Sequence, residues 1–145
     1  MKIYGIILLH AHLPYINHID GDWVEENWYF ENVVESYVPF LKMISSLLND
    51  GIEPRFTISL SPTLCYMMEN ENLQNKLRRY LDLRLKLIES ELIKADDERI
   101  IKNLKMYLDL YNSAYDFLET YSFDLITPFK LYRNQGILEI ITTPA

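Results

Sequence analysis

The stretch LLHAHLPY, Leu8 to Tyr15, decides how this chain is read. The residues leading into it, Lys2 to Leu9, form a short run rich in isoleucine with no polar alternation. Continuous hydrophobicity over so short a span predicts a strand buried on both faces, as in a parallel sheet. The run then stops at His10 and His12, one residue apart, with Pro14 just beyond. Side chains at i and i+2 of an extended segment lie on one face. Two titratable rings at that place carry a desolvation cost that a plain turn would avoid, so the pair points to a site.

Outward from this stretch, the chain alternates. His10 to Asp22 reads as a loop with Pro14, Asn17, Asp20 and Gly21. From about Glu25 to Asn49 the apolar residues Trp28, Val33, Val34, Tyr37, Leu41, Ile44 and Leu48 recur at helical spacing, with Trp28 on the core side. Pro39 falls inside, predicting either a kink or a second helix beginning near Tyr37. Gly51 ends the helix as a left-handed cap. Arg55 to Leu60 is a second strand, and Ser61-Pro62 opens a short helix to about Met68. Leu73 to Lys94 and Asp97 to Tyr121 are long amphipathic helices that predict an antiparallel hairpin. Asp124 caps a further helix to Asn134, Gly136 closes it, and Ile137 to Thr142 is a third strand. Strands joined by helical crossovers imply parallel pairing. The fold class is α/β: three parallel strands with helical crossovers and a hairpin insertion. A three-stranded parallel sheet is small, and its last strand has no helix after it, which predicts the opening part of a larger open sheet or barrel. Residues 1 to 145 form a single unit with no internal repeat or linker.

Composition narrows the function. The 145 residues are 49% hydrophobic and 24% charged, with a net charge of -7. The mean hydropathy is -0.09. This is the profile of a soluble globular chain, and its acidity argues against a nucleic-acid partner. Lys76, Arg78, Arg79, Arg84 and Lys86 share one helical stretch with Glu and Leu and read as a solvated face. Cys65 is the single cysteine, so no internal disulfide forms, which fits a reducing cytoplasm. No small-residue cleavage site follows the amino-terminal apolar run, and no run approaches the roughly 18 apolar residues that a membrane span requires.

All three predicted strands turn polar at their carboxyl ends, where parallel folds bind ligands: His10-Ala11-His12, Ser59-Leu60-Ser61 and Thr142-Thr143-Pro144. For Ser59, Ser61, Thr142 and Thr143 the plain reading is a strand end, with Ser61 a helix cap. The histidine pair suits either of two chemistries. One is a metal site, which needs further ligands that the other two strand ends do not supply. The other is polar recognition, in which the rings hydrogen-bond sugar hydroxyls. A sugar also wants aromatic platforms, and Tyr15, Trp23 and Trp28 lie in the following segment, Trp23 being the best placed. His18 reads as an ordinary loop residue. Asp20, Asp22, Glu25 and Glu26 read as solvated groups and first-turn charges.

LLHAHLPY, EENWYFENVVESYVPFL, RFTISLSPTL and LEIITTPA, in that order along nearly the whole chain, resemble the amino-terminal part of glycoside hydrolase family 57, nearest its α-glucan branching enzymes. The resemblance implies an incomplete (β/α)7 barrel that cuts α-1,4-glucan and hydrolyses or transfers it. Branching enzymes of the family make α-1,6 links by retaining chemistry, through a carboxylate nucleophile and a carboxylic acid. It places His10 and His12 in the first motif, lining the donor sugar site, with Trp23 near a site tryptophan. Tyr15 and Ser61 complete the expected glucan contacts. The resemblance implies no cofactor and no metal, and puts the catalytic Glu and Asp on later strands, beyond Ala145. The expectation is therefore part of a substrate site without a catalytic pair, inactive alone. Two further readings stay open: a metal-dependent hydrolase piece using His10 and His12 as ligands, and a non-catalytic assembly piece that self-associates through exposed sheet edges.

Overall fold

The computed structural model describes residues 5–19, 21 and 23–143. Strand β1 spans Leu8–Ala11, β2 Phe56–Leu60 and β3 Leu138–Thr142. The start of the expected first strand, Lys2 to Tyr4, and Asp20, Asp22 and Pro144 lie outside the described residues. Between β1 and β2 run α1 (Val24–Asn32), a π-helical turn (Val33–Tyr37) and α2 (Val38–Asn49). Between β2 and β3 run α3 (Pro62–Glu69), α4 (Glu71–Lys94), α5 (Glu98–Thr120) and α6 (Ile126–Asn134).

The π turn answers the question posed by Pro39. Proline has no N–H and its ring crowds the carbonyl four residues back. The chain widens the preceding turn: the Val38 N–H reaches Val33 O, five residues earlier, and Pro39 sits in the first turn of α2. A widened turn therefore joins two helices without breaking them apart. Other ends follow local chemistry. Ser61 accepts the Leu64 N–H at 3.3 Å, Asn70 the Leu73 N–H at 3.1 Å and Asp97 the Arg99 N–H at 2.8 Å. Gly51, at φ +75°, ends α2, and the next N–H, that of Ile52, returns to Leu47 O at 2.9 Å.

The sheet is parallel in the order β1-β2-β3. Leu9 pairs with Ile58 and Ile58 with Ile140, while His10 pairs with Ser59 and Ser59 with Ile141. Paired residues share a face. Ala11, Ile58, Leu60 and Leu138 point into one hydrophobic core with Leu41, Ile44, Leu64, Met67, Leu77 and Phe129. The opposite face carries Leu8, His10, Thr57, Ser59, Glu139 and Ile141, of which Leu8, His10, Glu139 and Ile141 are exposed. Here the structure corrects the expectation that β1 is buried on both faces: among the described residues the helices cover one face only, and β1 is an edge strand.

Helices α4 and α5 form the expected antiparallel hairpin. The Tyr80 and Tyr111 rings lie 6.4 Å apart, and Arg78, early in α4, pairs with Glu119, late in α5. Two helix readings change. Trp28, expected in the core, is 54% exposed, because α1 buries Glu26, Tyr29 and Phe30 instead. The α4 cations are not simply a solvated face: Arg78 lies 4.1 Å above the Phe123 ring, Arg84 5.0 Å from the Tyr80 ring centre, and Lys76 is engaged as described below. Such stems cover apolar surface while the charge finds a partner.

Candidate functional site

The carboxyl end of β1 presents the two histidines as a stack. Their rings are 6.0 Å apart and 11° from parallel, the consequence of an i, i+2 spacing in extended backbone. Parallel register brings Ser59 of β2 beside His10, and His10 Nδ1 hydrogen-bonds Ser59 Oγ at 2.7 Å. That contact fixes the ring plane and leaves the Nε2 edge to meet a ligand. Ser59 is buried, so the bond lies at the floor of the site. Both imidazoles are exposed. The sequence argument from desolvation is thus corrected: the open face of the sheet leaves the rings in water, and what marks the pair is its shared orientation.

The loop after β1 is fastened at several of its described residues. The Ile16 N–H reaches Met67 Sδ at 3.3 Å, Thr63 Oγ1 donates to Leu13 O at 3.3 Å, and Asn72 Nδ2 donates to Asn17 Oδ1 and His18 O, each at 3.2 Å. Half-exposed Tyr15 leans on Tyr66 with ring centres 5.8 Å apart. Half-exposed Trp23 stacks on His18 at 4.7 Å. Trp23 also borders a shallow hollow of about 100 Å³ between α1 and α4, with Asn27, Phe30, Arg79, Tyr80 and Leu83. Ring contacts thus tie Tyr15 to Tyr66 and Trp23 to His18, whereas the histidine pair stacks on itself. Ser61 is fully buried, with its hydroxyl engaged by the Leu64 N–H and by Thr63 Oγ1 at 3.1 Å; in this arrangement it serves as the cap of α3.

Glu26 is the residue that sequence reasoning missed. Read as a solvated first-turn charge, it is 1% exposed. Lys76 Nζ donates to both its oxygens at 2.7 and 2.9 Å, and the His18 N–H donates to Oε1 at 3.0 Å. Burial pushes this carboxyl up, but the Lys76 hydrogen bond, the His18 N–H, the Lys76 charge and the Trp23 N–H together hold it below the usual glutamate range. Lys76 lies fifty positions away on α4, so no local pattern announces the pair. His18, expected to be ordinary, is central to it: Lys76 also donates to its carbonyl at 2.8 Å. The neighbouring Glu25 stays exposed at the helix start, as expected.

Among the described residues, no group of three or more His, Cys, Asp or Glu is placed to hold a metal ion. Glu139 stands on the open face and accepts from Thr57 Oγ1 at 2.7 Å, one layer toward the amino end from the histidines. Burial, above all, pushes the Cys65 thiol up, as suits an unreactive cysteine. No helix among the described residues is long and apolar enough to cross a membrane.

Comparison with known proteins agrees with this fold. The sequence model for Glycosyl hydrolase family 57 matches residues 6–145. A 1,4-α-glucan branching enzyme of Thermococcus kodakarensis is 29% identical over 147 residues, covering 100% of this chain but 21% of that protein. The crystal structure of a branching enzyme of this family from Pyrococcus horikoshii superposes with a TM-score of 0.88 at 25% identity, over 94% of this chain and 26% of that one. The α-amylase AmyC of Thermotoga maritima superposes with a TM-score of 0.85 at 33% identity, over 94% of this chain and 26% of its own. The chain thus spans about a fifth of the curated relative's length. The family model's match over residues 6–145 shows that the chain belongs to glycosyl hydrolase family 57.

Proposed function

We propose that this chain forms the sugar-binding edge of an α-1,4-glucan-acting site, of the kind that branches glucan by cleavage and transfer. His10 and His12 hydrogen-bond sugar hydroxyls, and Tyr15 and Trp23 offer aromatic faces to pyranose rings. The observation that carries the reading is the co-facial histidine pair, with His10 anchored by Ser59, at the carboxyl end of a parallel strand. A retaining mechanism needs two carboxyl groups about 5 to 5.5 Å apart across the scissile bond. Glu26 is committed to Lys76, and Glu25 points out from a helix start. On this reading the cleaving pair comes from outside residues 1 to 145, and the chain binds glucan without turning it over.

The test is an NMR titration of the 145-residue chain with maltoheptaose, following the histidine ring protons, alongside assays for new reducing ends and new branches on amylose. The expected result is saturable movement of the His10 and His12 signals, abolished by His10→Ala, with no turnover. Ring signals that stay fixed through millimolar sugar, or cleavage by the chain alone, would overturn the proposal. A second reading, self-association, is favoured by the two sheet edges and by exposed Ile6, Leu8 and Ile141. Light scattering across a concentration series tests it: growth in mass that is relieved by Leu8→Lys supports it, and a constant monomer mass rejects it.

A further inference from the structure

A single buried carboxylate closes the loop that carries Trp23. Glu26 accepts the N–H of His18 at one end of that loop and sits three residues past Trp23, the N-cap of α1, at the other. That is the position from which a capping-box glutamate reaches back to the N-cap residue. Between the two ends the chain turns through Gly21 at φ +77°, and the rings of His18 and Trp23 stack at 4.7 Å across the closure. Lys76 completes the clamp from α4. It neutralises Glu26 with two short contacts and also holds the His18 carbonyl, so both polar groups of the His18 peptide are taken.

Lys76 is 11% exposed in the side chain and Glu26 1%, so the pair sits away from water, where an ion pair resists screening. A loop set only by its own turn would wander. Here His18 is held from α1 and from α4 through Glu26 and Lys76, and its ring stacks on the Trp23 indole.

We propose that Glu26 and Lys76 are positioning residues for glucan binding, holding the His18–Trp23 stack in the orientation that offers the indole face to a sugar. The inference rests on the reading of Trp23 as a glucan contact. Glu26 touches no sugar; it acts through the loop it closes.

The experiment uses the full chain in a Trp28→Phe background, so that indole fluorescence reports Trp23 alone. Acrylamide quenching and indole NMR are recorded without sugar, then maltoheptaose affinity is measured, for the parent, Glu26→Gln and Lys76→Met. All are held at low temperature, with far-UV circular dichroism used to establish that each is folded. The expected result is several-fold faster quenching and a shifted indole signal in both variants. Affinity weakens about tenfold, while the free-state His10 and His12 ring signals stay in place. Lys76→Arg keeps the charge and restores most of the affinity, which a purely structural role would not require. Folded variants with unchanged quenching and an unmoved indole would overturn the inference. So would a loosened indole with parental affinity. If the parent itself binds no maltoheptaose while both variants loosen the indole, the glucan reading fails and the loop clamp alone stands. Should Lys76→Met not fold, Glu26→Gln, which is isosteric and uncharged, decides the same outcomes.

Discussion

Replacing Lys76 by Met isolates the buried ion pair. The substitution keeps the apolar stem and removes the ammonium group, leaving Glu26 at 1% exposure without its cation. Breaking a buried pair from one side costs about 3 to 5 kcal/mol. Here the loss lies at the low end of that range, because the His18 N–H still solvates the carboxylate. A cost of about 3 kcal/mol at neutral pH follows, or roughly 6 to 12 °C in Tm for a chain of this size. The pH dependence is the sharper signature. In the parent, Glu26 lies below its ordinary value of 4.5, so its contribution is complete above that value and fades as pH falls through the lower folded one. In the variant, burial is opposed by the His18 N–H and by the His18 ring, whose Nδ1 lies 3.5 Å from Glu26 Oε1, and with the Lys76 charge gone the carboxyl takes up its proton at higher pH than in the parent. The variant therefore regains ground on acidification while the parent loses it. Thermal unfolding followed by circular dichroism at pH 7.5, 5.5 and 4 should show the gap in Tm closing. A gap below one degree at pH 7.5, or one that keeps its size across the series, would refute the account of this pair.

Leu81→Ala removes a fully buried side chain from α4 and should cost about 2 to 5 kcal/mol in urea unfolding; a loss under 1 kcal/mol would mean the core collapses around the gap. Ser59→Ala deletes the partner of His10 Nδ1 at a cost of about 0.5 to 1.5 kcal/mol, and the His10 ring nitrogens should shift in 15N spectra; unmoved resonances would show that Ser59 does not orient the ring. Burial pushes Tyr37 up to about 12 and raises Tyr29 and Tyr111 as well. The folded state prefers these phenols protonated, so stability is whole below the unfolded value near 10 and falls as pH rises toward 12. Tyrosinate absorbance should therefore develop in two stages, the later one coinciding with unfolding, and one smooth titration ending before unfolding would refute it.

Local signals carried most of the fold. The cap at Ser61, the left-handed Gly51 and the periodicity of α4 all act within a few residues, so they are legible in a linear string. The co-facial histidines are of the same kind, since extended backbone fixes them whatever lies nearby.

Other features were settled between distant segments. Pro39 announced a disturbance, but whether the helix kinked, restarted or widened depended on keeping Val34, Tyr37, Val38 and Leu41 all in the core, and a π turn does so. Trp28 has helical spacing yet points outward, because α1 turns Tyr29 and Phe30 inward. Apolar character in β1 is a property of the string, but the faces it buries depend on which layers lie against the sheet, and the described helices cover one side. Glu26 shows the division most clearly. Its charge is written in the sequence, whereas its burial, its tie to Lys76 and its hold on His18 exist only once α1 and α4 have packed together. Chain-local geometry operates over one turn of backbone, while burial and ion pairing are set by whatever the fold brings near.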